Sequence, residues 1–218
     1  MAAMAEPKSP FPALIGRRLY PRLAVLLALM VLAAATEGLG LVLLMPMLEL
    51  VGNGDYAPSA ARVAKVAGVG LRSVFRHFED MDALFGEMNE IIEARVLPLV
   101  LQVPQGETWQ DKLADIAERR IKVFETVMPY RLAGELKRFQ SAFIMQNQRR
   151  FLRLEGEIID AHLPPGLGAK PDFSRALKVI LSFQTWRLLR QDMALPLDEA
   201  RAVVRRMLDD SLAGIKAD

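Results

Sequence analysis

The sequence predicts an all-α protein. After residue 78, apolar residues recur at intervals of three and four over long stretches, which is the period of an amphipathic helix. Proline and glycine separate these stretches at Pro104, Pro129, Pro164–Gly166 and Pro196. No run alternates between apolar and polar residues as a half-buried strand does. The chain is therefore expected to consist of helices joined by short turns.

Composition limits the possible functions. The 218 residues can hold one or two domains with a core. The absence of cysteine excludes disulfides, zinc–thiolate sites and thiol catalysis. The sequence also lacks the Walker A motif, the GxSxG elbow, HExxH and a dinucleotide-binding glycine loop. We therefore predict no enzyme activity, no metal and no cofactor.

Two groups of polar residues could in principle form a catalytic or metal site, but we expect them to be structural. Glu155, Glu157 and Asp160 are close in sequence, but their spacing does not place all three on one helix face. His162 has no second ligand at a known metal-binding spacing. We expect the acidic residues to be solvated and His162 to cap or pack.

Residues 56–78, YAPSAARVAKVAGVGLRSVFRHF, predict two short helices joined by a tight turn. Ser59 can start the first helix, because a serine side chain accepts a free backbone N–H at a helix start. Gly68 stands where a residue with positive φ would end that helix. The second helix starts near Gly70. Two helices joined in this way can lay the second one in a DNA major groove.

Charge favours DNA binding for the same segment. It contains Arg62, Lys65, Arg72 and Arg76 and no acidic residue, so its local charge is +4 in a chain whose net charge is +2. Clustered cations on small helices are what phosphate contact requires. The alternative is a solvated helical hairpin packed on a larger domain, and charge and spacing alone leave both open.

The stretch AARVAKVAGVGLRSVFRHFEDMDALF resembles the helix-turn-helix of TetR/AcrR-type transcriptional regulators. The residues that carry the resemblance are Ser59, the Ala67–Val69 turn and Ser73–Phe78 in the second, recognition helix. The family implies that Phe75 and Phe78 pack inward. The DNA-binding positions that it implies are Ser59, Gly70, Leu71, Arg72, Ser73, Arg76 and His77.

Two residues depart from the family pattern. Gly70 stands where a helix-capping serine is usual, and Met81 stands where a phosphate-contacting lysine is usual. The second departure is expected to weaken non-specific affinity for DNA.

The N-terminal part has a different character. Residues 1–22 are polar and then basic, and residues 23–48 are almost wholly apolar. A bilayer core needs about 20 such residues, so residues 23–48 are long enough to form a transmembrane helix. A core or dimer helix and a signal peptide are the alternatives.

The same region resembles the first transmembrane helix of ABC-exporter subunits. The resemblance covers residues 17–51 and is carried by Tyr20–Arg22, the leucine run, Glu37–Gly38 and Leu48–Leu50. The ATPase motif of such transporters is absent, so transport by this chain alone is not expected.

The junction with the helix-turn-helix is unusual. TetR-type proteins have a further helix before this motif, and Met47, Leu48, Leu50 and Val51 can supply its final turn. Pro46 is expected to kink or break that helix, because proline lacks an N–H and clashes with the preceding turn.

Five further helices are expected after Phe78. The first begins at Glu79–Asp80 and ends before Pro98 or Pro104, and the second runs from Thr108 to Pro129. The others are expected at residues 130–163, 172–192 and 197–214. By the family resemblance, the last two form a dimer interface through apolar residues that include Ile180, Phe183, Trp186, Val203, Val204, Met207 and Leu212.

The resemblance also implies a small-molecule pocket in the C-terminal domain. Aromatic residues at helical spacing can line such a pocket, although they more often form core. The candidates are Trp109, Phe124, Tyr130, Phe139, Phe143 and Trp186.

The sequence thus predicts a ligand-responsive repressor that binds a palindromic, double-stranded DNA operator as a homodimer. The predicted segments are residues 1–22, a hydrophobic helix at 23–48, a DNA-binding region at 49–101 and a ligand-binding and dimerisation domain at 102–218. The expected location is the cytoplasm, either free or anchored to the inner membrane by residues 23–48. The alternatives are a membrane protein derived from an exporter segment, with a purely structural hairpin, and a helical ligand-binding module without DNA binding.

Overall fold

A computed structural model describes residues 25–27, 29–30, 42–168, 170–213 and 215. All regular secondary structure in these ranges is helical, which confirms the predicted all-α fold. The helices are α1 (42–52), α2 (Ala60–Ala67), α3 (Leu71–His77), α4 (Met81–Val100), α5 (Trp109–Lys137), α6 (Ala142–Asp160), α7 (Pro165–Gly168), α8 (Pro171–Ile180), α9 (Phe183–Arg187) and α10 (Leu197–Leu212), with a π-helical segment (Leu188–Asp192) continuing α9.

Residues 1–22 and most of the predicted membrane segment lie outside the described residues. None of the helices in the described part is both long and apolar enough to cross a bilayer. The end of the apolar segment belongs to α1, where Leu43, Leu44, Met47 and Leu48 are buried in the protein core.

The prediction that Pro46 breaks the helix at this point is wrong, because α1 continues through it. An interior proline removes a helical hydrogen bond and crowds the preceding turn, at a cost of about 3 kcal/mol. Leu43 and Leu44 before Pro46, and Met47 and Val51 after it, are buried in one core cluster, and this burial offsets the cost. α1 therefore provides the helix that was expected before the helix-turn-helix.

The predicted starts of α4 and α5 are confirmed. Asp80 precedes α4, and its carboxylate accepts a hydrogen bond from the N–H of Ala83 at 2.9 Å. Thr108 precedes α5 and forms a capping box with Asp111, in which each side chain accepts from the other residue's backbone. Each cap satisfies N–H groups that have no partner within the helix.

The predicted end of one helix and the predicted start of the next are wrong. α5 continues through Pro129 to Lys137, and α6 therefore starts at Ala142 rather than near residue 130. Val127, Met128 and Ala133 are buried on both sides of Pro129, so core packing continues across the proline.

The predicted helix 172–192 is interrupted, whereas the last predicted helix is found as α10. α8 ends at Ile180 and α9 begins at Phe183. The break is stabilised from both sides, because the buried Arg120 donates to the carbonyl oxygen of Leu181 at 2.9 Å and Ser182 accepts from the N–H of Thr185 at 3.1 Å.

α5 is the central helix of the C-terminal part. It packs against α4, α6, α9 and α10, and α8 packs against α6 and α10. α4 joins the two parts, because the buried Leu84, Phe85 and Met88 lie in its first half and its second half packs beside α5.

Candidate nucleic-acid interface and neighbouring cavity

The short helix α3 has one buried face and one exposed face. Val74 and the following Phe78 are buried, and they fix how the helix lies on the core. The exposed side chains are Leu71, Arg72, Phe75 and Arg76. Four of the seven residues of α3 are therefore available to a partner, and two of them are arginines.

The expectation that Phe75 packs inward is wrong, whereas the same expectation for Phe78 is confirmed. Phe75 is 51% exposed and Phe78 is 3% exposed. In a helix, successive residues are rotated by about 100°, so Phe75 cannot share the buried face that Val74 occupies. The exposed surface of α3 therefore presents an aromatic ring beside its two arginines.

The turn between α2 and α3 has the predicted local geometry. Ser59 precedes α2 with φ −78° and ψ 154°, and its side chain accepts from the N–H of Arg62 at 3.3 Å. Gly68 ends α2 with φ 67° and ψ 26°, a left-handed conformation that favours glycine. Gly70 precedes α3 and has no side chain with which to cap it. Ser59 and Gly70 thus lie at the helix starts that set the angle of α3.

The cations of this segment differ in their surroundings. Arg62 forms an ion pair with Asp55 at 3.0 Å, just before the segment in which no acid was counted. Lys65, Arg72 and Arg76 have no acidic partner within 4.0 Å among the described residues. Three positive side chains of this segment therefore have no ion-pair partner among the described residues.

Ser73 and His77 are less accessible than the arginines. Both are half-buried, and the Nε2 atom of His77 is enclosed without a hydrogen-bond partner in the described part of the chain. These two residues, although predicted to contact DNA, lie outside the exposed face of α3.

Two adjacent cavities lie between α4, α5 and α6. The larger has a volume of about 350 Å³ and reaches the α4–α5 connection, where Arg119 donates hydrogen bonds to the carbonyl oxygens of Gln102 and Val103. The smaller has a volume of about 130 Å³ and lies closer to the middle of α4. The residues that line both are Val100, Val123, Glu155 and Ile158.

Two of the six aromatic residues predicted to line a pocket do so. Phe124 lines the larger cavity and Tyr130 lines the smaller one. Trp186 is instead buried in the core, and its Nε1 donates to Glu125 Oε1 at 2.8 Å. Trp109 is half-buried in the first turn of α5, outside both cavities.

The last two of these candidates lie at the connection between α5 and α6. Phe139 is 77% exposed and Phe143 is 54% exposed, and neither lines a cavity. The ring of Phe143 lies against Gly86 of α4. The prediction for this pair depended on a helix spanning residues 130–163, and the actual break between Lys137 and Ala142 turns both rings away from the cavities.

Charged residues of the cavity wall were missed by the sequence analysis. Arg120 and Arg131 are 11 residues apart, about three helical turns, so they share the inner face of α5 with Phe124 and Val127. Glu155 of α6 faces them and pairs with Arg131, so the expectation that Glu155 is a solvated surface residue is wrong. The available signal was the occurrence of two arginines within an otherwise apolar helical stripe.

No protein-family model and no curated protein matches the chain. Among solved structures, it is similar to a transcriptional regulator from Rhodococcus sp. Rha1, with a TM-score of 0.62. The likeness shows the fold. It covers 84% of this chain and 98% of the regulator, at 18% sequence identity.

Proposed function

We propose that this protein is a transcriptional regulator that binds double-stranded DNA through α3. The observation that carries the proposal is the exposed face of α3, on which Arg72 and Arg76 lie without acidic partners among the described residues. Two further observations support it. Residues 56–78 resemble the helix-turn-helix of TetR/AcrR-type regulators, and the fold is similar to that of a protein described as a transcriptional regulator.

We propose that the regulator acts as a homodimer through α8 and α10. These helices pack together, and they expose Val179 and Met207. Ile180, Phe183 and Val204, which were expected to contribute to the interface, are buried within their own chain. A twofold dimer would place two α3 helices about one DNA turn apart, on a roughly palindromic operator.

The cavity beside α4 supports a ligand response. A volume of about 350 Å³ lies within the range of small-molecule sites, roughly 300–1,000 Å³. We propose repression that is relieved when a small molecule binds here, because α4 directly follows the helix-turn-helix in sequence, shares its buried core cluster and lines the cavity. The ligand must bind the form with low operator affinity more tightly than the other form. Because the helix-turn-helix must reach DNA, we place the folded part of the chain from residue 42 onward in the cytoplasm.

The test is selection of bound duplexes from a random DNA pool, followed by binding measurements at several salt concentrations. Arg72→Ala and Arg76→Ala are each expected to weaken binding and to reduce the slope of log K against log salt by about one per lost phosphate contact. Arg95→Ala is the matched control, because Arg95 is an exposed arginine in the second half of α4. Unchanged binding and slope in both α3 variants would rule out α3 as the DNA-contacting helix.

A further inference from the structure

Three charged residues, Arg120, Arg131 and Glu155, lie together in the walls of the two adjacent cavities. The Nη1 of Arg131 donates to Glu155 Oε1 at 2.6 Å. The Nη2 of Arg120 donates to the main-chain carbonyl oxygen of the same glutamate. The guanidinium of Arg131 also lies over the ring of Phe183, 4.4 Å from its centroid. Ion pairing and stacking thus hold Arg131 in one orientation.

This cluster carries more positive than negative charge. Arg120 and Arg131 contribute two positive charges and Glu155 contributes one negative charge, so the balance is +1. Burial lowers the pKa of Arg120 to about 10, with attraction by Glu155 opposing the effect and repulsion by Arg131 adding to it. An excess charge in a poorly hydrated place is unfavourable until an opposite charge joins it.

The other acidic groups near the cavities are already paired. Glu93, which lines the smaller cavity, accepts from Arg150 at 3.1 Å. Asp115 is paired with Arg119, which lines the larger cavity. No acidic side chain lining either cavity is therefore left to balance the charge of Arg120 and Arg131.

One donor of the cluster has no acceptor. The Nη2 of Arg131 is buried and makes no hydrogen bond within the described part of the chain, although Arg131 lines the smaller cavity. Buried donors in folded proteins nearly always have a partner. This atom is itself enclosed, so what reaches the cavity is the positive charge of the Arg131 guanidinium. The remaining lining is mostly apolar and includes Ile92, Val96, Val100, Val123 and Ile158.

We propose that the two adjacent cavities bind a mainly apolar monoanion, such as a carboxylic acid with a medium-length hydrocarbon body. Its carboxylate lies beside the guanidinium of Arg131 and balances the excess positive charge, and its hydrocarbon body lies among the apolar side chains. A second negative charge would exceed the balance of +1. This inference rests on the ligand response proposed above and names the chemical class of the ligand.

The test compares decanoate with 1-decanol, which have equal chain lengths, by calorimetric titration of the full chain at neutral pH. Both probes are used below the concentration at which decanoate forms micelles. Decanoate is expected to bind roughly tenfold more tightly or better, because attraction between its carboxylate and the excess positive charge is added to the same apolar contact. Arg131→Met is expected to remove this preference. Arg153→Met, an exposed change on α6 outside both cavities, is expected to preserve it.

Equal binding of the two probes, tighter binding of the alcohol, or binding of neither by the wild-type protein would overturn the inference. Glu155→Gln is a second variant that removes the competing carboxylate, and it is expected to increase the preference for decanoate. DNA binding is measured separately without either probe. If the wild-type protein does not bind DNA but prefers decanoate, the proposed regulator is rejected and the anion site stands. If it binds DNA but shows no preference for decanoate, the anion site is rejected and the proposed regulator stands.

Discussion

Gly68 and Gly70 flank Val69, and only position 68 requires a glycine. Gly68 has φ 67°, a conformation that is unfavourable for residues with a side chain. Gly70 has φ −72° and ψ 148°, which is close to the conformation in which Ser59 caps α2. A Cβ atom added at either glycine would meet nothing within 4 Å. The two positions therefore differ in backbone conformation and not in the space available to a side chain.

We expect opposite effects from substitutions at these glycines. Gly68→Ala should lower the free energy of unfolding by about 1 kcal/mol, because alanine opposes the left-handed conformation. Gly70→Ser should raise it by a few tenths of a kcal/mol, because serine adds an acceptor for the first turn of α3. Urea unfolding followed by circular dichroism measures both. Destabilisation of similar size at both positions would contradict this account.

Single residues were predictable where the cause is local. The cap at Ser59 and the turn at Gly68 depend on neighbours within four positions, and both have the predicted geometry. The side of α3 that faces the core depends on how the helix packs against the rest of the protein, so seven residues of sequence did not reveal that Phe75 would be exposed. The charge count over residues 56–78 likewise missed Asp55, which lies one position outside the segment and pairs with Arg62.

At the scale of helices, the carboxylate of Glu125 connects α5 both to α9 and to the π-helical segment that follows it. Glu125 accepts from Trp186 at 2.8 Å and from the Nε of Arg190 at 2.9 Å. Partial burial tends to raise the pKa of Glu125, but the hydrogen bonds from Arg190 and Trp186 outweigh it and leave the pKa below its usual value. The ionised form of Glu125 therefore stabilises the packing between these elements.

This shift predicts a dependence of stability on pH. The contribution of Glu125 is fully present above the ordinary glutamate pKa and is lost as the pH falls through the lowered pKa of the folded state. Glu125→Gln should therefore destabilise the protein at pH 7, and the difference from wild type should shrink in acid. Unfolding free energies at pH 7 and in the acid range measure this. Glu157→Gln, at an exposed position, should show no such trend.

Helix starts were predicted better than helix ends. A start depends on one capping side chain, such as Asp80 or Thr108, and both were found in the sequence. An end at a proline depends on whether the core continues beyond it. Buried residues on both sides keep α1 and α5 helical through Pro46 and Pro129, and this burial involves contacts that are distant in sequence.

For the whole molecule, the proposed homodimer predicts that charged substitutions at its interface convert the dimer to a monomer. Val179→Lys and Met207→Lys each place a charge on an exposed apolar position of α8 or α10, where burial against a second copy would be costly. Sedimentation is expected to show the monomer mass for these variants and twice that mass for the wild type. Leu136→Lys, which is exposed at the end of α5, is the control. A wild-type monomer, or dimeric variants, would exclude this interface.

The all-α architecture was predictable because each helix shows its own periodicity, but the cavity was not. Its walls come from α4, α5 and α6, and residues as far apart as Val100 and Glu155 line both chambers. The positions of Phe139 and Phe143 show the limit of using composition, because an aromatic side chain suits a pocket only if its helix turns it inward.

The double role of α4 bears on the exchange of parts between related regulators. Leu84 and Phe85, in the first half of α4 after the helix-turn-helix, are buried in the core, whereas Leu99 and Val100 at its other end line the cavity. A hybrid joined after residue 101 would take one wall of its cavity from the DNA-binding donor, and its ligand preference would be of mixed parentage. A junction inside α4, after Phe85 and before Leu99, would take the DNA-binding region from one parent and the whole wall of the larger cavity from the other.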